Sequence, residues 1–164
     1  MLKKLLAVVC AFGLLTACAS KEQGADLYGD GKGGWNNDVN IMELEATGLT
    51  KKFNKETTPV VYFAFNSSSL DASAKAALKE QIAWLKDNPT ALIVIEGRCD
   101  ERGTREYNLA LGERRANVAR SYMVANGIAA DRIKTISYGK EKPVVSGSNE
   151  EAWAKNRNAT TVAY

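Results

Sequence analysis

The sequence predicts an α+β fold, a βαβαβ sandwich with helices packed on one face of a mixed parallel and antiparallel sheet. Three observations support it. Short β-branched and aromatic runs at 60–65, 91–97, 133–138 and 160–164 read as strands. Between the first three lie two stretches with apolar residues at helical spacing. Pro, Gly and Asn separate the segments where a helix or strand has to end.

Each element has its own local reason. Val60, Val61, Tyr62, Phe63 and Phe65 follow Pro59 and give way to Asn66 and three serines, a buried strand with a polar exit. Asp71 is placed to cap a helix in which Leu78, Ile82 and Leu85 recur until Asn88-Pro89 ends it. Leu92-Ile93-Val94-Ile95 forms the core of the second strand, so residues 60–97 read as a βαβ unit. A polar loop, 98–104, leads into a long helix over 105–125, with Leu111, Val118, Tyr122 and Met123 on its apolar side. Asn126-Gly127 closes this helix. A short turn begins at Asp131, and a strand follows over 133–138. Residues 139–157 read as a surface excursion with one helical turn near 150–154, and the last strand occupies 160–164.

The N-terminal third has a different texture. Lys3-Lys4 precedes an uncharged stretch, 5–17, that is too short for a membrane span, which needs about 20 apolar residues. It ends Leu15-Thr16-Ala17-Cys18, which resembles the bacterial lipobox. That resemblance makes 1–17 a signal peptide and Cys18 the lipidated residue. Ala19 and Ser20 follow, with no Asp beside the cysteine, a pattern that favours the outer membrane. Acyl chains contribute about 0.8 kcal/mol per buried methylene, so several anchor a protein durably. Residues 18–56 read as the lipidated Cys and a flexible tether, crowded with Gly, Asn and Asp. A flexible chain of that length has a mean span of roughly 35 Å and a limit near ~130 Å. Trp35, Ile41, Met42 and Leu44 form an apolar island within it, suited to docking or to no role at all. The folded domain is expected over 57–164.

Composition narrows the function. The formal charge is +3, and without Lys3 and Lys4 some 20 basic residues face 19 acidic ones. Such a balance does not suit general nucleic-acid binding, which relies on many cationic phosphate contacts. The chain has no His, the commonest general base and metal ligand. Neither a metal site nor a cofactor is called for, and the nearby carboxylates Glu96, Asp100 and Glu101 are too close in sequence to suggest separate acid and base roles. A non-enzymatic binding protein is the expectation.

The informative residues run Gly97-Arg98-Cys99-Asp100-Glu101-Arg102-Gly103-Thr104, then Tyr107-Asn108, then Leu111-Gly112-Glu113-Arg114-Arg115-Ala116. With Val61-Tyr62-Phe63-Ala64-Phe65 and Ile136-Ser137-Tyr138-Gly139 they cover 57–164. This ordered set resembles the OmpA-like domain family, and most closely its lipid-anchored members. The resemblance implies non-covalent binding of peptidoglycan through the meso-diaminopimelate of its stem peptide, tethering the outer membrane to the cell wall. It also implies work within the Tol system, in envelope integrity and cell division, with TolB as a partner. A reading as a TolB-docking module with little direct wall binding stays open. Flagellar stators share the domain but carry an uncleaved membrane helix, which this leader does not provide.

Diaminopimelate presents an ammonium and a carboxylate on one carbon, so its receptor needs an acceptor and a donor a few ångströms apart. By the resemblance, Asp100 and Arg115 fill those roles. A guanidinium can hold a carboxylate with two hydrogen bonds. Asn108, two helical turns before Arg115, holds the loop or donates to the ligand. Phe65 is expected as core or pocket wall, Leu111 as helix core with an edge in the pocket, and Arg98 as a positive charge beside it. A plain Asp100–Arg115 salt bridge tying loop to helix is the competing reading. Glu101, Arg102 and Thr104 are the candidate TolB contacts. Relatives often carry Asp at 64 and 66 and Arg at 158, where this chain has Ala64, Asn66 and Asn158. Cys99, alone in the domain, is expected as a small buried hydrophobe and not a redox sensor.

Overall fold

The computed structural model describes residues 48–164. The leader, Cys18 and the apolar island at 35–44 lie outside the described residues. Within them the order is α1 (Gly48–Glu56), β1 (Val60–Tyr62), α2 (Ala72–Asp87), β2 (Ile93–Arg98), α3 (Arg105–Ala125), a 3-10 turn (Ala130–Arg132), β3 (Ile133–Gly139), α4 (Glu150–Asn156) and β4 (Asn158–Ala163).

Local chemistry explains most boundaries. Asp71 caps α2 by accepting the Ala74 amide at 2.7 Å, and Thr104 caps α3 by accepting that of Tyr107 at 3.2 Å. Gly127, with φ of 95°, turns the chain out of α3 in a conformation that side chains other than glycine's rarely adopt. Asn149 caps α4, which is longer than the single turn expected.

The four strands form one sheet in the order β1-β4-β2-β3. β4 pairs antiparallel with both β1 and β2, whereas β2 and β3 are parallel. Strands β1 and β2 therefore run the same way but are not neighbours. The βαβ unit read from residues 60–97 is split by the last strand, and the adjacent parallel pair is β2-α3-β3. The α+β class with a mixed sheet holds.

Helices α1, α2 and α3 share one apolar core with one face of the sheet, including Phe53, Val61, Phe63, Leu78, Leu85, Ile93, Ile95, Ala116 and Met123. Two expectations are corrected. Residues 48–56 were expected in the tether, yet they form α1, whose Phe53 is 0% exposed and meets Trp84 edge-on at 5.0 Å. Thr50 adds a hydrogen bond from its hydroxyl to the Ala163 carbonyl at 2.6 Å. The helix escaped notice because three lysines and an asparagine leave it only a Leu49–Phe53 stripe. The first strand was expected over 60–65 but its ladder ends at Tyr62. Phe63 still donates to Arg157 O at 2.9 Å, and then a turn through Asn66, with φ of 53°, carries the chain away.

One close approach seats α3 on the sheet. A methyl group on Gly97 of β2 would lie 1.9 Å from the carbonyl oxygen of Gly112 on α3. The helix thus rests backbone to backbone on the strand just before the 98–104 loop, and this fixes where Asn108, Leu111 and Arg115 point.

Candidate functional site

Where β2 ends and α3 begins, a cavity of about 170 Å³ opens, lined by Phe65, Asn66, Cys99, Asp100, Arg102, Gly103, Tyr107, Asn108, Leu111 and Arg115. Five of the six expected ligand-site residues are therefore together: Asp100, Arg115, Asn108, Phe65 and Leu111.

Arg115 forms its floor. Its guanidinium is 0% exposed and donates to three main-chain carbonyls: Nε to Ser67 at 2.9 Å, Nη1 to Arg98 at 2.8 Å and Nη2 to Ala64 at 3.3 Å. Phe63 lies beneath it, 5.2 Å from guanidinium carbon to ring centre. These bonds tie the guanidinium to three carbonyls of the surrounding chain, and the Cys99 side chain interacts with it as well. Burial pushes its pKa down from the ordinary arginine value.

Asp100 forms the wall, and its partners are unexpected. Both oxygens face Arg102, with Nε to Oδ1 at 3.1 Å and Nη2 to Oδ2 at 2.7 Å, and Arg157 Nη1 reaches Oδ2 at 3.4 Å. The Asp100–Arg115 salt bridge offered as the competing reading is not formed; the two groups line one cavity with separate partners. Burial alone would raise the Asp100 pKa, but the hydrogen bonds from Arg102 and Arg157 hold the carboxyl below the usual aspartate value.

Asn108 holds the loop, as one of its two expected roles had it. Its amide donates to the carbonyls of Arg102 at 2.7 Å and Thr104 at 3.0 Å. Leu111 is buried with an edge in the cavity. Phe65 is rim and not core, 61% exposed, because the chain turns outward after Phe63. Cys99 is buried, with Sγ donating to the Asn108 carbonyl at 3.3 Å, and burial pushes its thiol pKa up.

Arg98 is the exception. Side chains alternate along a strand, and Ile93, Ile95 and Gly97 face the helices, so Val94, Glu96 and Arg98 face the other way. Arg98 pairs there with Glu96 at 2.5 Å and lies 5.1 Å from the Tyr138 ring centre. Only its carbonyl serves the site, as an acceptor for Arg115.

The candidate partner contacts flank the cavity. Glu101 is exposed and accepts from Trp153 Nε1 at 3.0 Å, and Thr104 is exposed at the start of α3. Arg102 belongs to both groups: its guanidinium carbon lies 4.1 Å from the ring centres of both Phe65 and Trp153 while the head grips Asp100. The sequence reading missed Asn66, Tyr107, Trp153 and Arg157 as site residues. Tyr107 and Asn66 are hydrogen-bonded across the rim. Arg157 also donates to Glu150 at 2.7 Å and to the Phe63 carbonyl at 3.1 Å, joining α4, β1 and the loop.

The fold is a small α+β domain with a mixed sheet that sets an acid and a buried arginine in one cavity at a strand-to-helix junction. Residues 62–157 match the model of the OmpA family. Over 90% of this chain and 83% of the relative, the sequence is 41% identical to a peptidoglycan-associated lipoprotein of Mesorhizobium japonicum. It is 36% identical to one of Pasteurella multocida over 99% of this chain and 98% of the relative. The crystal structure of the peptidoglycan-associated lipoprotein from Burkholderia pseudomallei is similar with a TM-score of 0.63 and 42% identity, over 65% of this chain and 90% of that one. The C-terminal domain of Helicobacter pylori MotB shares the fold at 15% identity, with a TM-score of 0.60 over 64% of this chain and 83% of that one. The chain belongs to the OmpA family and, within it, groups with the peptidoglycan-associated lipoproteins.

Proposed function

We propose that this protein is an outer-membrane lipoprotein, anchored through Cys18, whose domain grips the diaminopimelate stem peptide of peptidoglycan without cutting it. The observation that carries the reading is that Asp100 and Arg115 line one cavity of about 170 Å³. An ammonium is drawn to the aspartate and a carboxylate to the arginine, and both charges sit on one carbon of diaminopimelate. Arg102 occupies the ammonium's place on Asp100, so the ligand enters by displacing it. Arg102 then becomes a second donor for the ligand's carboxylate.

Calorimetry of the mature chain with a diaminopimelate stem peptide tests this, beside Asp100→Ala and Arg115→Lys. Lysine keeps the charge but cannot reach three carbonyls at once, so circular dichroism has to accompany it. Saturable binding lost in both folded variants supports the grip. Binding that survives both removes it.

A second reading is that the 100–104 loop mainly docks TolB within the Tol system. The full internal pairing of Asp100 favours it, since Arg102 and Arg157 already occupy both of its oxygens. Glu101 and Thr104, exposed beside Trp153, would form the contact. Titrating TolB against the chain with and without saturating stem peptide separates the cases: competition places both partners on one surface, and independence separates them.

A further inference from the structure

The strand order leaves β1 at an edge of the sheet. Along such a strand the backbone groups point alternately to its neighbour and outward. Thr161 N donates to the Pro59 carbonyl at 2.8 Å and Phe63 N to that of Arg157 at 2.9 Å, so Pro59, Val61 and Phe63 face β4. The groups of Thr58, Val60 and Tyr62 therefore face outward. At Thr58 side chains of α2 meet the need: Glu80 Oε2 accepts its N–H at 3.1 Å, and Gln81 Nε2 donates to its carbonyl at 2.6 Å. The outward groups of Val60 and Tyr62 meet no partner among the described residues. Beside them, between β1 and α2, lies a groove of about 260 Å³ that shares no residue with the Asp100 cavity. Val61, Ser73, Ala74 and Ala77 line it, and among the described residues at its wall Glu80 alone is charged.

We infer that β1 receives an extended segment of a partner protein as an added antiparallel strand, and that this segment carries a large apolar residue followed two places later by lysine or arginine. Hydrogen bonding is the first reason. Val60 and Tyr62 offer two N–H and two carbonyl groups, which an antiparallel strand takes up in pairs. Side-chain direction is the second. Val61 points into the core under the helices, and the partner residue opposite it points to the same face. There its side chain enters the alanine-lined groove, which is larger than the ~150 Å³ cavity that holds a benzene ring. Charge is the third. Two places further on, the partner lies opposite Pro59, beside the Glu80 carboxylate at Thr58. The edge strand itself carries no charged side chain, the usual device that turns partners away. Tyr62, 52% exposed, covers the other face of the added strand. A second copy of this chain fits less well, because its Val61 already lies in its own core and would leave the groove unfilled.

A fluorescein-labelled peptide, Thr-Val-Thr-Leu-Thr-Lys-Thr, titrated into the full mature chain with Cys18→Ser to prevent lipidation, tests the inference. Expected are saturable binding, NMR contacts from the leucine methyls to those of Ala74 and Ala77, and slowed amide exchange at Val60 and Tyr62. Val60→Pro removes an outward N–H without touching the β4 ladder and should weaken binding about tenfold. Ala76→Arg, on the exposed rim of α2, should close the groove with a similar loss. Glu80→Gln should weaken the lysine peptide about threefold and leave a Leu-Thr-Gln version unchanged. All three variants should keep the circular dichroism of the parent and the amide signals of its Asp100 loop. No saturable binding up to millimolar peptide overturns the inference, as does binding that survives both Val60→Pro and Ala76→Arg. Shifts confined to the Asp100 loop overturn it too, since the peptide would then occupy the other cavity. So does protection of the Val60 and Tyr62 amides that grows with the concentration of the protein alone, because a second copy would then hold the edge.

Discussion

Arg102 holds both carboxylate oxygens of Asp100, Nε on Oδ1 at 3.1 Å and Nη2 on Oδ2 at 2.7 Å. Phe65 and Trp153 sandwich the same guanidinium. The aspartate that we propose receives a ligand's ammonium is thus occupied by a cation of the protein's own. A cationic ligand competes with a tethered rival already in position. Arg102→Ala removes the rival, and stem-peptide affinity measured by calorimetry should rise by about fivefold. Weaker binding would mean that Arg102 serves the ligand's carboxylate more than it blocks the ammonium.

The contact between β2 and α3 leaves no room for a side chain. Gly97→Ala places a methyl 1.9 Å from a backbone oxygen that cannot move alone, so the helix has to lift. Denaturant titration should show a loss of about 3 kcal/mol. Gly112→Ala should cost less, because its nearest obstacle is the Ser137 hydroxyl at 2.4 Å, a side chain that can rotate.

Phe53 makes α1 part of the folded unit. Phe53→Ala should destabilise the domain by about 3–5 kcal/mol, as truncating a buried aromatic does, with a matching fall in the thermal midpoint. A chain begun at residue 57 should be weaker still, and binding assays on such a fragment would understate the intact protein.

Much of the fold was legible because strong local signals agreed with the tertiary outcome. The two long helices carry side-chain caps at Asp71 and Thr104, and the first two strands fall in uninterrupted apolar runs, Val60 to Phe65 and Leu92 to Ile95. What failed to show depends on contacts between distant residues. Phe65 reads as strand, but a left-handed turn at Asn66 ejects it. Arg98 sits beside Asp100 in sequence, yet strand alternation sends its side chain through the sheet. The pairing of Asp100 with Arg157 joins residues 57 apart and leaves no trace in local pattern. Asp100 and Arg115 were named from the resemblance and do line one cavity, but their partners come from distant segments that local pattern does not reveal.

Acid should loosen the loop before the core. The folded-state pKa of Asp100 lies below the usual aspartate value, about 3.9. Its pairing therefore stabilises the fold fully above that ordinary value, and the contribution is lost as pH falls through the depressed one. The loop amides at 100–104 should keep their NMR shifts from pH 7 to about 5. Movement should begin only below about pH 4. In Asp100→Asn that late acid transition should be missing.

Cys99 should behave as an inert thiol. Burial raises its pKa, and its proton is given to the Asn108 carbonyl. An aromatic disulfide reagent at pH 8 should leave the native protein unlabelled over hours and react at once in denaturant. Rapid native labelling would reopen a redox role.

The place of β4 also bears on when this protein can acquire its shape. Strands β1 and β2 meet only through β4, which is last in chain order yet second in the sheet. While a ribosome emits everything ahead of Asn158, two fragments of sheet exist with a gap between them, and the buried arginine floor lacks the strand beside it. Pairing of residues so far apart closes a long loop late, and such contacts form slowly. A nascent chain of this topology cannot close its sheet until β4 has emerged. β4 acts as a latch that shuts only after β1, β2 and β3 have been made.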